Sequence, residues 1–299
     1  MHNLKKYLQE ARKNNVAIGH FGFGTMAMLH GIMDAARELS DEIDHPFKGG
    51  KIPIILGVSE GDRKVFGTLE AVTLTQLYRE IYDYPVFIDA DHTHDVDAVQ
   101  QAIEMGYDMV IYDGVDLSIE QNIQNTQRVV KFKNEVNPRC VVEGELGYIA
   151  SGSDMKDELP EGITPENMTT PEEAKFFVDK TGIDALAPAV GNVHGIIATG
   201  NPRLDIERIK DISEKTKVDL VLHGGSGISP EDFVAAIHAG MNVVHVATAL
   251  RKAHRDAIAQ AYSENPSVSP TKSVPQAREA VKNVVKEHIR LFLGNSSTT

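Results

Sequence analysis

The chain has 299 residues, of which 41% are hydrophobic and 24% are charged, and its formal net charge is -13. This acidity argues against non-specific binding to nucleic acid or to an anionic membrane, because both carry negative charge themselves. The N-terminal segment is an amphipathic helix pattern rather than a signal or membrane-spanning sequence, and the single cysteine, Cys140, excludes an internal disulfide framework. We therefore expect a soluble cytoplasmic protein without a nucleic-acid or membrane partner.

Short apolar runs alternate with amphipathic segments along the chain. The predicted strands are Val16–Phe21, Ile52–Val58, Val86–Ala90, Asp108–Tyr112, Cys140–Val142, Ala185–Val190, Val218–Leu222 and Asn242–Val246. The predicted helices are Leu4–Asn14, Met26–Leu39, Leu69–Tyr82, Val96–Met105, Ser118–Val136, Pro171–Thr181, Leu204–Lys215, Pro230–Ala239, Thr248–Tyr262 and Val274–Leu293. This alternation predicts an α/β protein with one (β/α)₈ barrel domain over residues 1–299 and a C-terminal helical extension from about residue 273. A doubly wound open sheet is the alternative, because periodicity does not show whether a sheet closes.

One segment interrupts the alternation. Residues 147–170 contain glycine, serine, aspartate and proline without a period, over far more residues than a usual connection. Such a stretch is either disordered or a lid over a functional site. We favour a lid, because it follows a strand that runs into Glu143 and Glu145.

Histidines follow several of the predicted strands. His92 lies at the end of the third strand, His194 follows the sixth, and His223 follows the seventh. Each alone is more often an ordinary hydrogen-bonding residue, but strand ends converge at one mouth of a barrel. Three imidazoles with an open coordination position are typical of a catalytic zinc site, whereas magnesium and calcium prefer oxygen ligands.

Carboxylates and glycines accompany these histidines. Asp91 is a general acid/base beside the metal, or it only orients an imidazole. Glu143 and Glu145 alternate along a strand and so face one side, where they reach the mouth or form structural salt bridges. The glycines of residues 223–227, His-Gly-Gly-Ser-Gly, favour a backbone anion site, with a flexible turn as the alternative.

The stretches FIDADH, VEGELG, GNVHG and LVLHGGSGI, in this order, resemble the class II (zinc-dependent) fructose-bisphosphate and tagatose-bisphosphate aldolase family. The resemblance runs from about residue 16 to residue 251. It implies a (β/α)₈ barrel that cleaves a ketose phosphate to dihydroxyacetone phosphate and an aldehyde. It also implies a homodimer or homotetramer with a small sugar or sugar-phosphate substrate.

The same resemblance implies roles for individual residues. His92, His194 and His223 are the expected ligands of one zinc ion per chain, and Glu145 holds a displaced metal position. Asp91 takes the proton from the C4 hydroxyl during cleavage. The remaining expected site residues are Asp113, which supports a ligand or an accessory metal, Ser59 in the substrate pocket, and Gly195, Gly224, Gly225, Ser226 and Thr248 at the phosphate. A monovalent cation at the phosphate is left open.

Several positions depart from the family pattern. Ser153 stands where the family has a loop glutamate base, and Asp154 substitutes for it only if the loop repositions the shorter side chain. His245 replaces an asparagine of the eighth strand, and the usual lysine after GNVHG is absent. Of the extra histidines near strand ends, His20, His94 and His245, we favour His245 as the replacement group for proton transfer.

These observations favour a zinc-dependent aldolase that reversibly cleaves a ketose phosphate or related hydroxyketone through an enediolate. The missing loop base argues against, but does not exclude, fructose 1,6-bisphosphate as the substrate. A metal-dependent isomerase or epimerase on the same scaffold is an alternative, since it would reprotonate the same enediolate. A non-catalytic sugar-phosphate-binding homologue is a further alternative, because the loop base is missing.

Overall fold

Eight parallel strands form a closed barrel in the computed structural model, which describes residues 2–150, 152 and 154–294. The barrel strands are β1 (Ile18–Gly22), β2 (Ile54–Ser59), β3 (Val86–Thr93), β4 (Met109–Tyr112), β5 (Val141–Leu146), β6 (Ala185–Pro188), β7 (Asp219–Leu222) and β8 (Met241–Val246). β1 pairs with both β2 and β8, and this pairing closes the ring. The predicted (β/α)₈ barrel is confirmed, and the open-sheet alternative is wrong.

Helices surround the barrel. They are α1 (Leu4–Asn14), α2 (Met26–Glu42), α3 (Glu60–Phe66), α4 (Thr68–Ile81), α5 (Val96–Met105), α6 (Ile119–Val136), α7 (Pro171–Thr181), α8 (Ile206–Thr216), α9 (Pro230–Ala239), α10 (Thr248–Glu264) and α11 (Pro270–Phe292). The last helix starts four residues before its predicted start, because Pro270 is well suited to a first helical position. Among the described residues, no helix is both long enough and apolar enough to cross a membrane.

Helix α3 was not predicted from the sequence. It is only seven residues long and shows no clear apolar period. The sequence features that favour this helix are at its two ends. The Ser59 hydroxyl caps the N-terminus by accepting from the backbone N–H of Asp62, and Arg63 and Lys64 lie in the last turn. The helix matters for the site because it follows β2 directly and holds Ser59 and Glu60 at the barrel mouth.

The segment 147–170 contains more regular structure than its composition indicated. Met155–Lys156 pairs in parallel with Ile196–Ile197, which follows β6, and Pro165–Asn167 forms a 3₁₀ turn. We call the paired strands the lid sheet. Strands of two residues have no period, so only the tertiary structure reveals them. The lid sheet holds part of this segment over the barrel mouth beside His194.

The inner wall of the barrel carries buried polar side chains rather than an entirely apolar filling. Asp89 and Asp91 are two residues apart on β3 and so face the same side, as do Glu143 and Glu145 on β5. His20 of β1 lies opposite His245 of β8 in the strand register. All six side chains are buried inside the barrel. On the outer face of the same strands, aliphatic side chains pack against the helices.

A glycine on β2 makes room for one of these side chains. A Cβ atom added to Gly57 would lie 2.6 Å from Nε2 of His20 and would overlap the imidazole. The ring is 1% exposed and cannot turn out to solvent without leaving the barrel interior. Gly57 is therefore required by the packing of His20, not by backbone conformation.

We expect Gly57→Ala to lower the free energy of unfolding by about 1–3 kcal/mol, because the new methyl group overpacks a filled interior. Urea denaturation of the metal-free protein measures this change. Gly61→Ala is the matched control, since in α3 its Cβ would meet nothing nearer than the Ser59 hydroxyl at 3.9 Å. Adding His20→Ala should restore part of the loss; strictly additive effects of the two substitutions would contradict this packing argument.

Candidate active site

Three histidines from separate parts of the chain meet at the C-terminal mouth of the barrel. One ring nitrogen from each of His92, His194 and His223 lies within 4.8 Å of the other two. The ring centroids of His92 and His194 are 4.7 Å apart, and those of His194 and His223 are 5.3 Å apart. The structure therefore brings together the three histidines that the sequence analysis singled out. Their role as metal ligands stays a prediction.

An irregularity in β3 directs His92 toward this cluster. The pairing of β3 with β4 shifts between Ala90 and Thr93, and His92 itself adopts a left-handed conformation with φ of 42°. Such bulges re-aim a side chain that strict strand alternation would point elsewhere. A non-glycine residue in this conformation is strained, and strain of this kind is concentrated at functional sites.

Hydrogen bonds orient each of the three rings. Nδ1 of His194 donates to the backbone carbonyl of Ala150 at 2.7 Å, so its Nε2 carries the free lone pair. Nδ1 of His92 lies 2.9 Å from a carboxylate oxygen of Asp113, and Nε2 of His223 lies 2.8 Å from Oε1 of Glu143. Carboxylates behind metal-binding imidazoles fix the ring tautomer in this way and raise ligand basicity.

Each of these hydrogen bonds uses one ring nitrogen and leaves the other with a free lone pair. These remaining nitrogens lie close together and need a positively charged partner. Nε2 of His194 lies 3.3 Å from Nδ1 of His223, which is itself 3.1 Å from Oε2 of Glu145. Two imidazole lone pairs at this separation repel each other unless a proton or a metal ion lies between them. Oε2 of Glu145 is buried, and because its contact with Nδ1 of His223 lacks hydrogen-bond geometry, it has no hydrogen-bond partner among the described residues. Three imidazole nitrogens and one carboxylate form a donor set that fits zinc.

The electrostatics of the three rings differ. Burial lowers the pKa of His194, and the neighbouring His92 adds to this effect, so the pKa falls to about 4. Burial would also lower the pKa of His92, but the charge of Asp91 and the hydrogen bond to Asp113 outweigh it and raise the pKa to about 9. The carboxylates around the cluster thus favour positive charge at His92, and a neutral His194 is available as a ligand.

Asp91 and His245 form a pair beside the cluster. Nδ1 of His245 lies 3.5 Å from Oδ1 of Asp91, and the two residues are 8% and 9% exposed. Burial raises the pKa of Asp91, but the positive charge of His92 and the nearby imidazole of His245 outweigh burial and hold the pKa well below its usual value. Burial, reinforced by His20, lowers the pKa of His245 well below its usual value. Asp91 is therefore an ionised carboxylate that can accept a proton, next to a neutral imidazole.

The rings of His20, His245 and His223 stack in a column inside the barrel. The His20 and His245 centroids are 3.5 Å apart with an interplanar angle of 5°, and those of His245 and His223 are 4.3 Å apart. Nε2 of His20 lies 3.0 Å from Oδ2 of Asp89, so two parallel carboxylate–imidazole pairs face each other across β1, β3 and β8. Asp89 was not predicted as a site residue, although its alternation with Asp91 along β3 is a signal that points to it.

The glycine-rich loops lie on the opposite side of the histidine cluster from β3. Gly195 and Gly224 have φ of 96° and 70°, in the left-handed region, and a Cβ atom on Gly225 would lie 2.5 Å from the carbonyl oxygen of His245. The hydroxyl of Ser226 accepts from the backbone N–H of Ala249 at 3.0 Å, and Thr248 begins α10. Ser226 and Thr248 are therefore together at the N-terminus of a long helix, where the helix dipole favours anions. Gly224 lies against Val193 and His194, next to the loop that contains Gly195.

A lysine that the sequence analysis did not single out lies beside these loops. Nζ of Lys156 in the lid sheet donates to the carbonyl oxygens of Gly152 and His194, each at 2.7 Å. A Cβ atom on Gly195 would lie 3.0 Å from this ammonium group. Burial lowers the pKa of Lys156, and Asp154 opposes this effect. No sequence motif could have predicted that Lys156 lies beside Gly195, because the pairing of the lid sheet brings the two residues together.

A cleft of about 420 Å³ opens over the cluster. Its described lining is Ser59, Glu60, Gly61, His92, His94, Asp113, Val115, Asp116, Glu145, Tyr148, Ile149, Ala150, Gly152 and His194. Asp91 and His245 lie below this surface. The hydroxyl of Ser59 donates to Asp62 at 2.7 Å and thus faces the helix as well as the cleft.

The predicted loop base is not within the cluster. Asp154 is exposed at the start of the lid sheet, and its backbone carbonyl accepts from Ile196. Ser153, which stands at the position of the family's glutamate, lies outside the described residues. A catalytic role for Asp154 stays a prediction that requires a movement of the lid segment.

Comparison with known proteins gives one consistent family. The family model described as fructose-bisphosphate aldolase class-II matches residues 2–297. The chain is 32% identical over 294 residues to a fructose-bisphosphate aldolase of Staphylococcus aureus, covering 97% of this chain and 96% of that one. It is also 32% identical over 297 residues to a fructose-bisphosphate aldolase of Geobacillus stearothermophilus, with the same coverage of 97% and 96%.

Solved structures agree with the sequence relatives. The YdjI aldolase from Escherichia coli K12 superposes with a TM-score of 0.81 at 27% identity, covering 100% of this chain and 99% of that one. A putative fructose-1,6-biphosphate aldolase from Coccidioides immitis superposes with a TM-score of 0.82 at 25% identity, covering 99% and 97%. The similarity extends over the entire barrel and its terminal helices.

We expect about one zinc ion per chain, lost on chelation, and near-complete loss of zinc in His223→Ala. Asp113→Asn should weaken zinc binding by about 10–100-fold, because it removes the partner that orients His92. Competition with a chromophoric chelator measures both effects. Asp97→Asn, whose carboxylate is 78% exposed, is the control. Unchanged zinc affinity in both His223→Ala and Asp113→Asn would refute the assignment of the site.

Proposed function

Because the chain belongs to the class II fructose-bisphosphate aldolase family, and is thus a lyase by family, we propose that it is a zinc-dependent aldolase. Its proposed reaction is the reversible aldol cleavage of a ketose phosphate or related hydroxyketone, other than fructose 1,6-bisphosphate. The observation that carries this proposal is the convergence of three imidazole nitrogens within 4.8 Å, with the ionised Asp91 directly beside them.

The proposed ligands are His92, His194 and His223, and Glu145 supplies a second metal position through its unpartnered carboxylate oxygen. Zinc bound there would act as a Lewis acid on the substrate carbonyl. Asp113 and Glu143 hold the rings of His92 and His223 from behind, so that the ligand nitrogens keep their direction. Preorganised ligands of this kind need little rearrangement when the substrate binds.

In the cleavage direction, Asp91 accepts the proton of the C4 hydroxyl as the bond between C3 and C4 breaks. The aldehyde half leaves, and the electron pair of the broken bond stays on the three-carbon half as an enediolate. That half then takes one proton at C3. The low pKa of Asp91 supports its role as the proton acceptor, because it is ionised before the reaction starts.

We assign the proton transfer at C3 to His245. Its neutral imidazole removes this proton in the condensation direction and returns it in the cleavage direction. His245 lies 3.5 Å from Asp91, and its Nε2 is buried without a hydrogen-bond partner. Asp154 is the alternative group for the same step, through closure of the lid segment.

The proposed phosphate site consists of Gly195, Gly224, Gly225, Ser226 and Thr248, next to the N-terminus of α10. Lys156 adds a positive charge beside Gly195. A monovalent cation at this phosphate, a cytoplasmic location and assembly as a homodimer or homotetramer remain expectations from the family resemblance. The substrate partner is a small sugar or sugar phosphate.

Two other functions use the same pocket. An isomerase or epimerase would return the proton to the enediolate without releasing an aldehyde, and a non-catalytic sugar-phosphate-binding protein would do neither. The serine at position 153 favours the second of these, because it removes the family's loop base. Product analysis separates the three, since only an aldolase yields two carbon fragments.

We expect zinc-loaded protein to release dihydroxyacetone phosphate and an aldehyde from at least one ketose 1-phosphate in a coupled assay. Asp91→Ala should lower kcat by about 10²–10⁴-fold, because it removes a positioned general base. Its zinc content should stay near one per chain, and His238→Ala on α9 is the control. Full activity after exhaustive removal of zinc, or in Asp91→Ala, would refute the mechanism.

A further inference from the structure

The two ends of the cleft carry opposite charge. Gly152 and His194 line one end of the cleft, and the ammonium group of Lys156 lies behind them, bonded to their carbonyl oxygens. The glycine-rich loops after β6 and β7 lie next to this end, and Ser226 of the second loop bonds to the N-terminal turn of α10. At the other end lie Glu60, after β2, and Asp116, after β4. The barrel order β1-β8-β7-β6-β5-β4-β3-β2 puts these two groups of loops on opposite sides of the mouth. A substrate that spans the mouth therefore meets cationic and helix-dipole groups at one end and carboxylates at the other.

Positive side chains do not offset the carboxylates at the acidic end. Among the described residues that line the cleft, none is a lysine or an arginine. Arg63 is buried behind the wall and donates to Val58, Asp91 and Thr93. Arg251, in the first turn of α10, is paired with Asp62 of α3 at 2.8 Å. The nearby guanidinium groups are thus already bound to protein acceptors.

The acidic end is suited to hydroxyl groups. Asp116 is exposed, and Glu60 is half-buried with one oxygen accepting the backbone N–H of His94 at 3.2 Å. Each carboxylate has further lone pairs that can accept from a sugar hydroxyl. Tyr148, 43% exposed, adds an aromatic face in the same cleft. A phosphate dianion here would instead face two carboxylates, with no lysine or arginine in the described lining to offset the repulsion between like charges.

We propose that the substrate carries a single phosphate, held at the glycine-rich end, and that the half released as an aldehyde is an uncharged polyhydroxylated chain bound by Glu60 and Asp116. This inference rests on the proposed aldolase function and specifies its substrate class. It also assigns Glu60 and Asp116 as specificity-determining residues. Neither carboxylate contacts the histidine cluster, so their effect is on the choice of aldehyde rather than on the proton transfers.

The condensation direction tests the proposal. Zinc-loaded protein is given dihydroxyacetone phosphate with either D-glyceraldehyde or D-glyceraldehyde 3-phosphate, and the ketose products are quantified. We expect kcat/KM to be about ten-fold or more higher for the uncharged aldehyde, because the phosphorylated one brings like charges together. Equal or better use of D-glyceraldehyde 3-phosphate would overturn the inference while leaving the aldolase function intact.

Charge-neutral variants localise the effect. Glu60→Gln and Asp116→Asn keep side-chain size, and each should shift the ratio of kcat/KM values toward the phosphorylated aldehyde by about three- to ten-fold. Asp97→Asn, which removes an exposed carboxylate outside the cleft, should leave the ratio unchanged. An unchanged ratio in both cleft variants would overturn the assignment of these residues.

A binding measurement separates this inference from the proposed reaction. If neither aldehyde gives product, the aldolase function fails. Calorimetry with two unreactive analogues, glucitol 1-phosphate and glucitol 1,6-bisphosphate, then measures whether the pocket prefers one phosphate or two. Tighter binding of the monophosphate to the zinc-loaded protein would uphold the single-phosphate pocket. Tighter binding of the bisphosphate would overturn it.

Discussion

The structure depends on the mutual pairing of carboxylates and imidazoles inside a closed barrel. Asp89, Asp91, Glu143 and Glu145 are almost fully removed from water, where an isolated charge is strongly unfavourable. Each lies within 4 Å of a ring nitrogen of a histidine. The carboxylate oxygens that remain without a partner concentrate negative potential at the mouth of the barrel. A cation at the histidine cluster would neutralise this potential, which links the folding of the inner wall to the binding of a metal.

The same pairing explains how the chain accommodates unusual side chains next to a family site. The imidazole of His20 lies in space that the absent side chain of Gly57 provides, and it bonds to Asp89. His245 then stacks between His20 and His223 and reaches Asp91. These contacts form one connected network, so substitution of one member alters the orientation and the charge of the next. The inner wall thus combines the histidine cluster with neighbouring carboxylate–imidazole pairs, and the proposed mechanism assigns the proton transfers to one of these pairs.

The groups around the cleft differ in charge from one side to the other, and this difference bears on which substrate can bind. Loops after β6 and β7 present glycine, next to Lys156 of the lid sheet and the N-terminus of α10, whereas segments after β2 and β4 present carboxylates. A fixed site for one phosphate and a separate site for hydroxyl groups provide a physical basis for selecting substrates by charge. The histidine cluster lies between the two ends, where the proposed reaction would break the carbon–carbon bond of such a substrate.

Much of the site could be predicted because the relevant information is local. The alternation of strand and helix patterns predicted the barrel. Because strand ends converge at one mouth of a barrel, the histidines at those ends predicted that His92, His194 and His223 form one group. Three features escaped sequence reasoning: the pairing of His20 with Asp89, the short helix α3, and the approach of Lys156 to Gly195. The Asp154 prediction is untested, since its side chain lies apart from the cluster.

By itself, the sequence determined which residues form strands, which of them carry imidazoles and carboxylates, and which end of the sheet they occupy. Only the tertiary structure decided which side chains touch. Register between β1 and β8, the bulge that turns His92, and the lid sheet all depend on residues that are distant in the chain. A period of two fixes the face on which a side chain lies, but the neighbour it meets there depends on which strands pair and in what register.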